Sequence, residues 1–192
     1  PDLPGVLPHT FSAPPEACLL ASGFIGSKFQ EGLRLLPYMC GMLVMVSDKG
    51  TGKVSSLSDG RAKIEYEFHP GDVDRIKKGL VAVAKILFAG GAKQLMGPIH
   101  NLSPSYSVEE LEQKLAPKPI QDFTLYAAHP MSSCRMSTSI ETGVIKPNGE
   151  THGIKNLYIA DASTFPTSLG VNPQLSTYAA ATQIARMFLD TQ

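Results

Sequence analysis

Ala62-Lys63-Ile64-Glu65-Tyr66-Glu67-Phe68 alternates apolar and charged or polar side chains, and the period then changes to that of a helix. Val73, Ile76, Leu80, Val83 and Leu87 recur at three- and four-residue steps, which places them on one helical face. A period of two is that of a half-buried strand, because successive side chains of extended backbone leave opposite faces. Asp72 or Asp74 stands near the positive end of the helix, and Gly90-Gly91 stands where it should stop. Just upstream, Met42–Val46 and Lys53–Leu57 read as further strands. They are separated by Ser47-Asp48-Lys49-Gly50-Thr51-Gly52 and Ser58-Asp59-Gly60, residues that tolerate positive φ or bond their own backbone. The spacing therefore predicts an antiparallel sheet covered by a helix, which is an α+β arrangement.

Residues 1–30 are rich in proline, glycine and small side chains and show no sustained period, so they read as a loop or extended arm. Such an arm buries Val6, Leu7, Phe11 and Leu19 only against another body. Residues 31–119 hold the sheet and its helix, then a strand near Lys93–Met96 and a second short helix. That helix opens at Ser107, three residues before Glu110 as a capping box requires, and ends at Pro117 and Pro119. Residues 120–192 form the last part. Here Asn156–Ala160 reads as a buried strand of an α/β sheet, bounded by Gly153 and Asp161. In the final helix, Asn172 can cap, Pro173 suits the first position, and Leu175, Tyr178, Ala179, Thr182 and Ala185 can face a core. Nothing in the chain repeats.

With 192 residues, of which 43% are hydrophobic, the chain has the material for a packed core. Its 17 basic and 17 acidic residues cancel to a net charge of +0, without runs of like sign, and leave no footprint for nucleic acid or an anionic membrane. A small-molecule or protein partner is expected. Cys18, Cys40 and Cys134, like the histidines His9, His69, His100, His129 and His152, are scattered, so neither a disulfide framework nor a metal cluster is expected. No apolar stretch approaches the ~20 residues of a membrane span, and no signal-peptide pattern opens the chain. Gly50-Thr51-Gly52-Lys53 resembles the end of a phosphate-binding loop. Ser47 replaces its first glycine, however, and Val54 its serine or threonine. No Gly-x-Gly-x-x-Gly fingerprint follows any strand, so a dinucleotide site cannot be complete within these residues.

The chemistry concentrates in the last part. His129 and Asn172 are each followed by a proline, and the strand ending in Asp161 separates them. An imidazole and a carboxamide brought together from two loops can take a proton from an alcohol and hold the oxygen left behind. Asp161 at a strand's carboxyl edge and the free N–H groups of a helix start describe a slot for an anionic or anion-developing ligand. Residue by residue, plainer roles compete with these. His129 also reads as a loop histidine with a satisfied hydrogen bond, Asn172 as a helix cap, and Asp161 as a turn former. Arg135 suits a structural pairing with a carboxylate, and Cys134 a small buried hydrophobe.

Five blocks in order carry a resemblance. They are His129-Pro130-Met131-Ser132-Ser133-Cys134-Arg135-Met136; Gly143-Val144 with Pro147-Asn148-Gly149; Asn156-Leu157-Tyr158-Ile159-Ala160-Asp161-Ala162-Ser163; Phe165-Pro166-Thr167; and Gly170-Val171-Asn172-Pro173. Together they resemble the carboxyl-terminal region of the glucose–methanol–choline (GMC) oxidoreductases, and residues 32–96 look like the substrate-domain sheet and helix of that family. The match covers 126–189 most specifically and leaves the first thirty residues unsupported.

The resemblance implies a flavoenzyme that oxidises an alcohol and passes hydride to FAD. It implies His129 as the group that takes the hydroxyl proton and Asn172 as the group that holds the alkoxide. Asp161 and Ala162 fall where the family contacts the ribityl–phosphate portion of FAD, and Pro173 and Gln174 fall beside the pyrimidine edge of the flavin. It further implies that 31–119 is a portion of the substrate-binding domain, and that 120–192 carries the last strand and helix of a Rossmann-like FAD-binding domain with its active-site loops. The likeness is nearest to members acting on long or hydrophobic alcohols. Ser132 and Ser137 stand where the family usually has glycine. The nucleotide fingerprint would lie in a missing amino-terminal half, so the FAD site is incomplete here and the isolated segment is expected to be inactive. Oxygen, a quinone or a cytochrome would serve as electron acceptor. The alternative is a binding or assembly module that keeps the family core without its chemistry.

Overall fold

The computed structural model describes residues 3–11, 14, 25–97 and 99–190. Strand β1 (Val6–Phe11) leads to helix α1 (Ser27–Leu35), strands β2 (Gly41–Val46), β3 (Thr51–Ser56) and β4 (Ala62–Glu67), and helices α2 (Pro70–Ala89), α3 (Val108–Leu115) and α4 (Gln174–Leu189). Short 3-10 turns lie at Leu36–Tyr38, Ile120–Asp122 and Ala162–Thr164. The class is α+β, with antiparallel strands and separate helices. Two compact units divide it, one holding residues 1–46 and 70–126, the other 47–69 and 127–192.

In the first unit β1 pairs antiparallel with β2, from Val6 opposite Val46 to Phe11 opposite Gly41. The arm expected over 1–30 is thus a strand at 6–11. Pro8, which suggests a loop, is tolerated because β1 has a free edge where no amide donor is needed. The predicted arm residues Leu19 and Cys18 lie outside the described residues. Helix α1, which begins at Gly26 without a side-chain cap, also differs from the expected loop. Helix α2 confirms the stripe read from the sequence, with Val83 buried and Ile76 and Leu80 partly buried. It lies against the strand pair at Gly79, where a Cβ would come 2.4 Å from Val44 Cγ1. The core gathers Ala84 of α2, Leu111 and Leu115 of α3, and Phe123.

Ser107 caps α3 as expected, since the Glu110 N–H donates to its Oγ at 3.1 Å. Glu110 in turn accepts from the Tyr106 N–H at 2.8 Å, one residue earlier than a capping box would have it. Lys114, first, and that N–H hold the Glu110 carboxyl below its ordinary value. The strand expected near 93–96 is a single bridge between Leu95 and Ser105.

In the second unit β3 and β4 form a hairpin with Val54 opposite Ile64 and Lys53 opposite Glu65. The turn between them closes as read, and Arg61 holds the Asp59 carboxyl below its ordinary value. Two features differ from expectation. The strands make two separate pairs rather than one sheet. Nor is β4 half-buried: its alternation is real, but Ile64 is 74% exposed because no described element covers that face. The buried strand expected at 156–160 is likewise reduced to one bridge, Glu150 with Tyr158. A central strand of a sheet needs hydrogen-bonding neighbours on both edges, and among the described residues only the 149–151 segment adjoins it.

Short bridged segments therefore replace a sheet around the fully buried Ile145. Met136 bridges Ile145, Ile145 bridges Thr151, and the Ile159 N–H donates to the Gly149 carbonyl at 3.0 Å. Helix α4 leans on this frame through Ile184, its only buried residue, and Tyr158 meets Phe188 edge-on with ring centroids 5.1 Å apart. The face expected to be inward is outward: Leu175 is 81% exposed, and Tyr178, Ala179, Thr182 and Ala185 are exposed as well. Periodicity marked a helix correctly, but not which of its small-residue faces is covered.

Two outcomes follow for the full-length protein. Gly149 has φ +86, and a Cβ there would lie 2.5 Å from Ile184 Cγ2. Gly149→Ala should therefore cost about 1–3 kcal/mol from overpacking alone, visible as faster hydrogen exchange across α4. Glu150 accepts from Lys146 Nζ at 2.7 Å and from the Asn156 N–H at 3.1 Å. Lys146 first, and then that N–H, hold its carboxyl below the ordinary 4.5. A lowered carboxylate contributes stability above its unfolded value and loses it as pH falls through the folded one. Glu150→Gln should thus destabilise the 145–158 frame at neutral pH and converge with wild type in acid unfolding curves as pH falls through that lowered value.

Candidate active site

The segment that follows His129 is the centre of the second unit. The Cys134 N–H donates to the Ser163 carbonyl at 3.1 Å and the Met136 N–H to the Thr164 carbonyl at 2.9 Å. On its other side the Val144 N–H donates to the Arg135 carbonyl at 2.9 Å and the Ser137 N–H to the Ile145 carbonyl at 2.8 Å. Residues 134–137 are held from both edges. The loop carrying His129 and the turn opening at Asp161 are therefore parts of one frame, although about thirty positions separate them in sequence.

His129 is half-buried and makes no side-chain hydrogen bond among the described residues. Asp161 does adopt the turn role weighed above, since its Oδ1 accepts from the Ser163 N–H at 2.8 Å and from the Ser163 hydroxyl. Its carboxylate remains exposed, and Ala162 begins the 3-10 turn it caps.

Asn172 does not cap α4. Pro173, which is buried, takes the N-cap position, with no side-chain capping bond, and its carbonyl accepts the Thr177 N–H at 2.8 Å. The exposed Asn172 carboxamide thus forms no hydrogen bond among the described residues, and neither do the first-turn N–H groups of α4 find a side-chain acceptor. Gln174 donates its amide to the Tyr178 hydroxyl at 2.8 Å. No hydrogen bond joins His129, Asp161 and Asn172 directly. Gly170, two residues before Asn172, adjoins Ser47: a Cβ there would lie 3.0 Å from Ser47 Cβ.

Arg135 donates its Nε to the Thr142 carbonyl at 2.7 Å rather than to a carboxylate. Cys134 is a half-buried free thiol. Ser132 occupies the left-handed region, φ 68, without being glycine. A glycine-like backbone is thus kept there at a steric cost. The residue missed by sequence reading is Thr164, 2% exposed, whose hydroxyl donates to the Asp161 carbonyl at 2.8 Å. The Asp-x-Ser-Thr order was its available signal, since such side chains bond backbone within a few residues.

These residues suit a flavin on two counts. An uncapped helix start offers N–H groups to the negative charge of a reduced ring or a phosphate, and the unbonded imidazole and carboxamide leave a proton acceptor and a donor unspent. No helix of the described residues is long and apolar enough to cross a membrane.

The chain has an α+β fold. It belongs to the GMC oxidoreductase family, whose carboxyl-terminal model matches residues 47–181. A long-chain-alcohol oxidase of Arabidopsis thaliana is 34% identical over 150 residues, covering 73% of this chain and 20% of the relative. A GMC-type oxidoreductase of Mycobacterium tuberculosis (strain CDC 1551 / Oshkosh), itself uncharacterized, is 29% identical over 181 residues, covering 94% of this chain and 29% of the relative. The chain thus spans less than a third of the length of either curated relative. Among solved structures, the formate oxidase of Aspergillus oryzae RIB40, studied for its FAD modification, superposes with a TM-score of 0.55 at 25% identity, covering 76% of this chain and 26% of that one. Pyridoxine 4-oxidase of Mesorbium loti shares the fold, with a TM-score of 0.54 at 19% identity, covering 79% of this chain and 30% of that one.

The strained Ser132 gives a direct check of the loop. Ser132→Val should lower the unfolding midpoint of the full-length protein, by about 1–2 kcal/mol of stability, because a β-branched residue fits the left-handed region worst. Ser132→Gly should leave it unchanged within about 0.5 kcal/mol or raise it, since relief of strain offsets the added freedom of the unfolded chain.

Proposed function

We propose that this chain is the part of an FAD-dependent GMC oxidoreductase that supplies the proton acceptor, the oxyanion partner and the flavin-facing turn for oxidation of an alcohol CH–OH group. The observation that carries this reading is that His129 and Asn172, both inside the family match, keep their polar side chains free of hydrogen bonds among the described residues. A half-buried imidazole with a structural role is usually bonded, and an exposed carboxamide without a protein partner is open to a ligand.

FAD, when bound, supplies the acceptor for the hydride that leaves the alcohol carbon. The work of this chain is to prepare that carbon. His129 takes the hydroxyl proton through an imidazole nitrogen, and the Asn172 carboxamide N–H donates to the alkoxide oxygen so formed. Asp161 and Ala162 would hold the ribityl–phosphate portion, and Pro173 and Gln174 would stand beside the pyrimidine edge, where the N–H groups of α4 favour negative charge. Residues 31–119 serve the substrate side and 120–192 the flavin side, while the grip on adenine and pyrophosphate comes from the amino-terminal half of the family's fold. The likeness to a long-chain-alcohol oxidase supports a long or hydrophobic alcohol as substrate. Oxygen, a quinone or a cytochrome then takes the electrons onward.

Stopped-flow reduction of the flavin by alcohol in the full-length protein tests this. His129→Ala should slow flavin reduction by about 100-fold or more, the contribution of a general base. An unchanged rate would remove His129 from the reaction.

A further inference from the structure

We propose that Thr164 is a positioning residue that sets the His129 loop relative to the flavin-facing turn. The inference rests on the roles given above to His129 and Asp161, and it adds a buried residue that acts through the backbone of both segments.

Thr164 is 2% exposed and lies at the end of the Ala162–Thr164 turn. On one side its hydroxyl and its N–H both donate to the Asp161 carbonyl, at 2.8 and 3.2 Å. On the other side its own carbonyl accepts the Met136 N–H at 2.9 Å. One buried residue therefore bonds to the backbone of Asp161 and to the segment that leads back to His129. Ser163 makes a parallel set of contacts, taking the Cys134 N–H on its carbonyl at 3.1 Å, but its side chain serves the exposed Asp161 carboxylate rather than the backbone. The Thr164 hydroxyl is thus the buried link of the two.

A buried threonine bonded to a carbonyl resists a shift of that carbonyl, because the hydroxyl has no water to exchange it for. Without the hydroxyl, the Asp161 carbonyl keeps only the longer bond from the Thr164 N–H. The turn can then rotate, carrying Asp161 away from the cofactor and changing the register of the His129 loop through Met136. The chemistry would suffer from misplacement while the alcohol still binds.

Thr164→Val keeps the shape and removes the hydroxyl. In the full-length holoenzyme it should slow flavin reduction by about 10-fold, with KM for the alcohol changed by less than about two-fold. FAD should dissociate more readily, by about five-fold in a flavin-fluorescence titration of the apoprotein, a readout independent of turnover. Thr164→Ser, which restores the hydroxyl, should return both values to near wild type. Should Thr164→Val fail to fold, Thr164→Cys, of similar size but a weak donor, replaces it with the same expectations. Wild-type flavin reduction and FAD affinity in the variant would overturn the proposal, as would a fall in both that Thr164→Ser does not rescue. His129→Ala run alongside separates the two readings. If that variant is also without effect the proposed reaction fails, whereas a slow His129→Ala beside a normal Thr164→Val sinks the positioning role alone.

Discussion

Two backbone hydrogen bonds, from Cys134 and Met136 to Ser163 and Thr164, join segments that the chain order keeps apart. Neither segment belongs to a regular strand, yet each bond satisfies groups that would otherwise be costly to bury. With that pairing in place, the Arg135 side chain is fixed against Thr142, Ile145 is sealed, and the turn opened by Asp161 has a wall to stand on. The roles proposed for His129 and Asp161 require a common frame, and this pairing is what supplies it.

The fold was legible where the signal was local. The helix at 70–89, the Ser107 cap and the hairpin turn at 58–60 each rest on neighbours within a few residues, and each formed as read. Strand partners were not legible, because pairing β1 with β2 joins positions that no periodicity links. Pro8 also disguised a strand that needs no amide donor on its open edge. The side chains of β4 and α4 showed the opposite failure. Their patterns were correct, but Ile64 and Leu175 are exposed, since burial depends on what covers a face and not on the face.

The family was legible in the sequence, and the candidate site only as a set of residue types. His129 and Asn172 stood out as residue types, and the ordered blocks around them carried the family, which the match over 47–181 bears out. What residue type alone could not settle was employment. Asn172 had a ready alternative as a cap, and only the backbone of Pro173 in that position shows the carboxamide unused. Thr164 went unnoticed because a threonine inside a short loop has no pattern to distinguish it before its hydroxyl is seen to be buried.

One asymmetry follows from how the last helix is held. The 134–164 frame is cross-linked on several edges, whereas α4 buries only Ile184. An element held by a few side-chain contacts, here Ile184 and the Phe188 ring, opens at lower free energy than a frame cross-linked through its backbone. The start of α4, where Asn172 and the buried Pro173 stand, is therefore tied to the frame less closely than residues 134–164 are tied to one another.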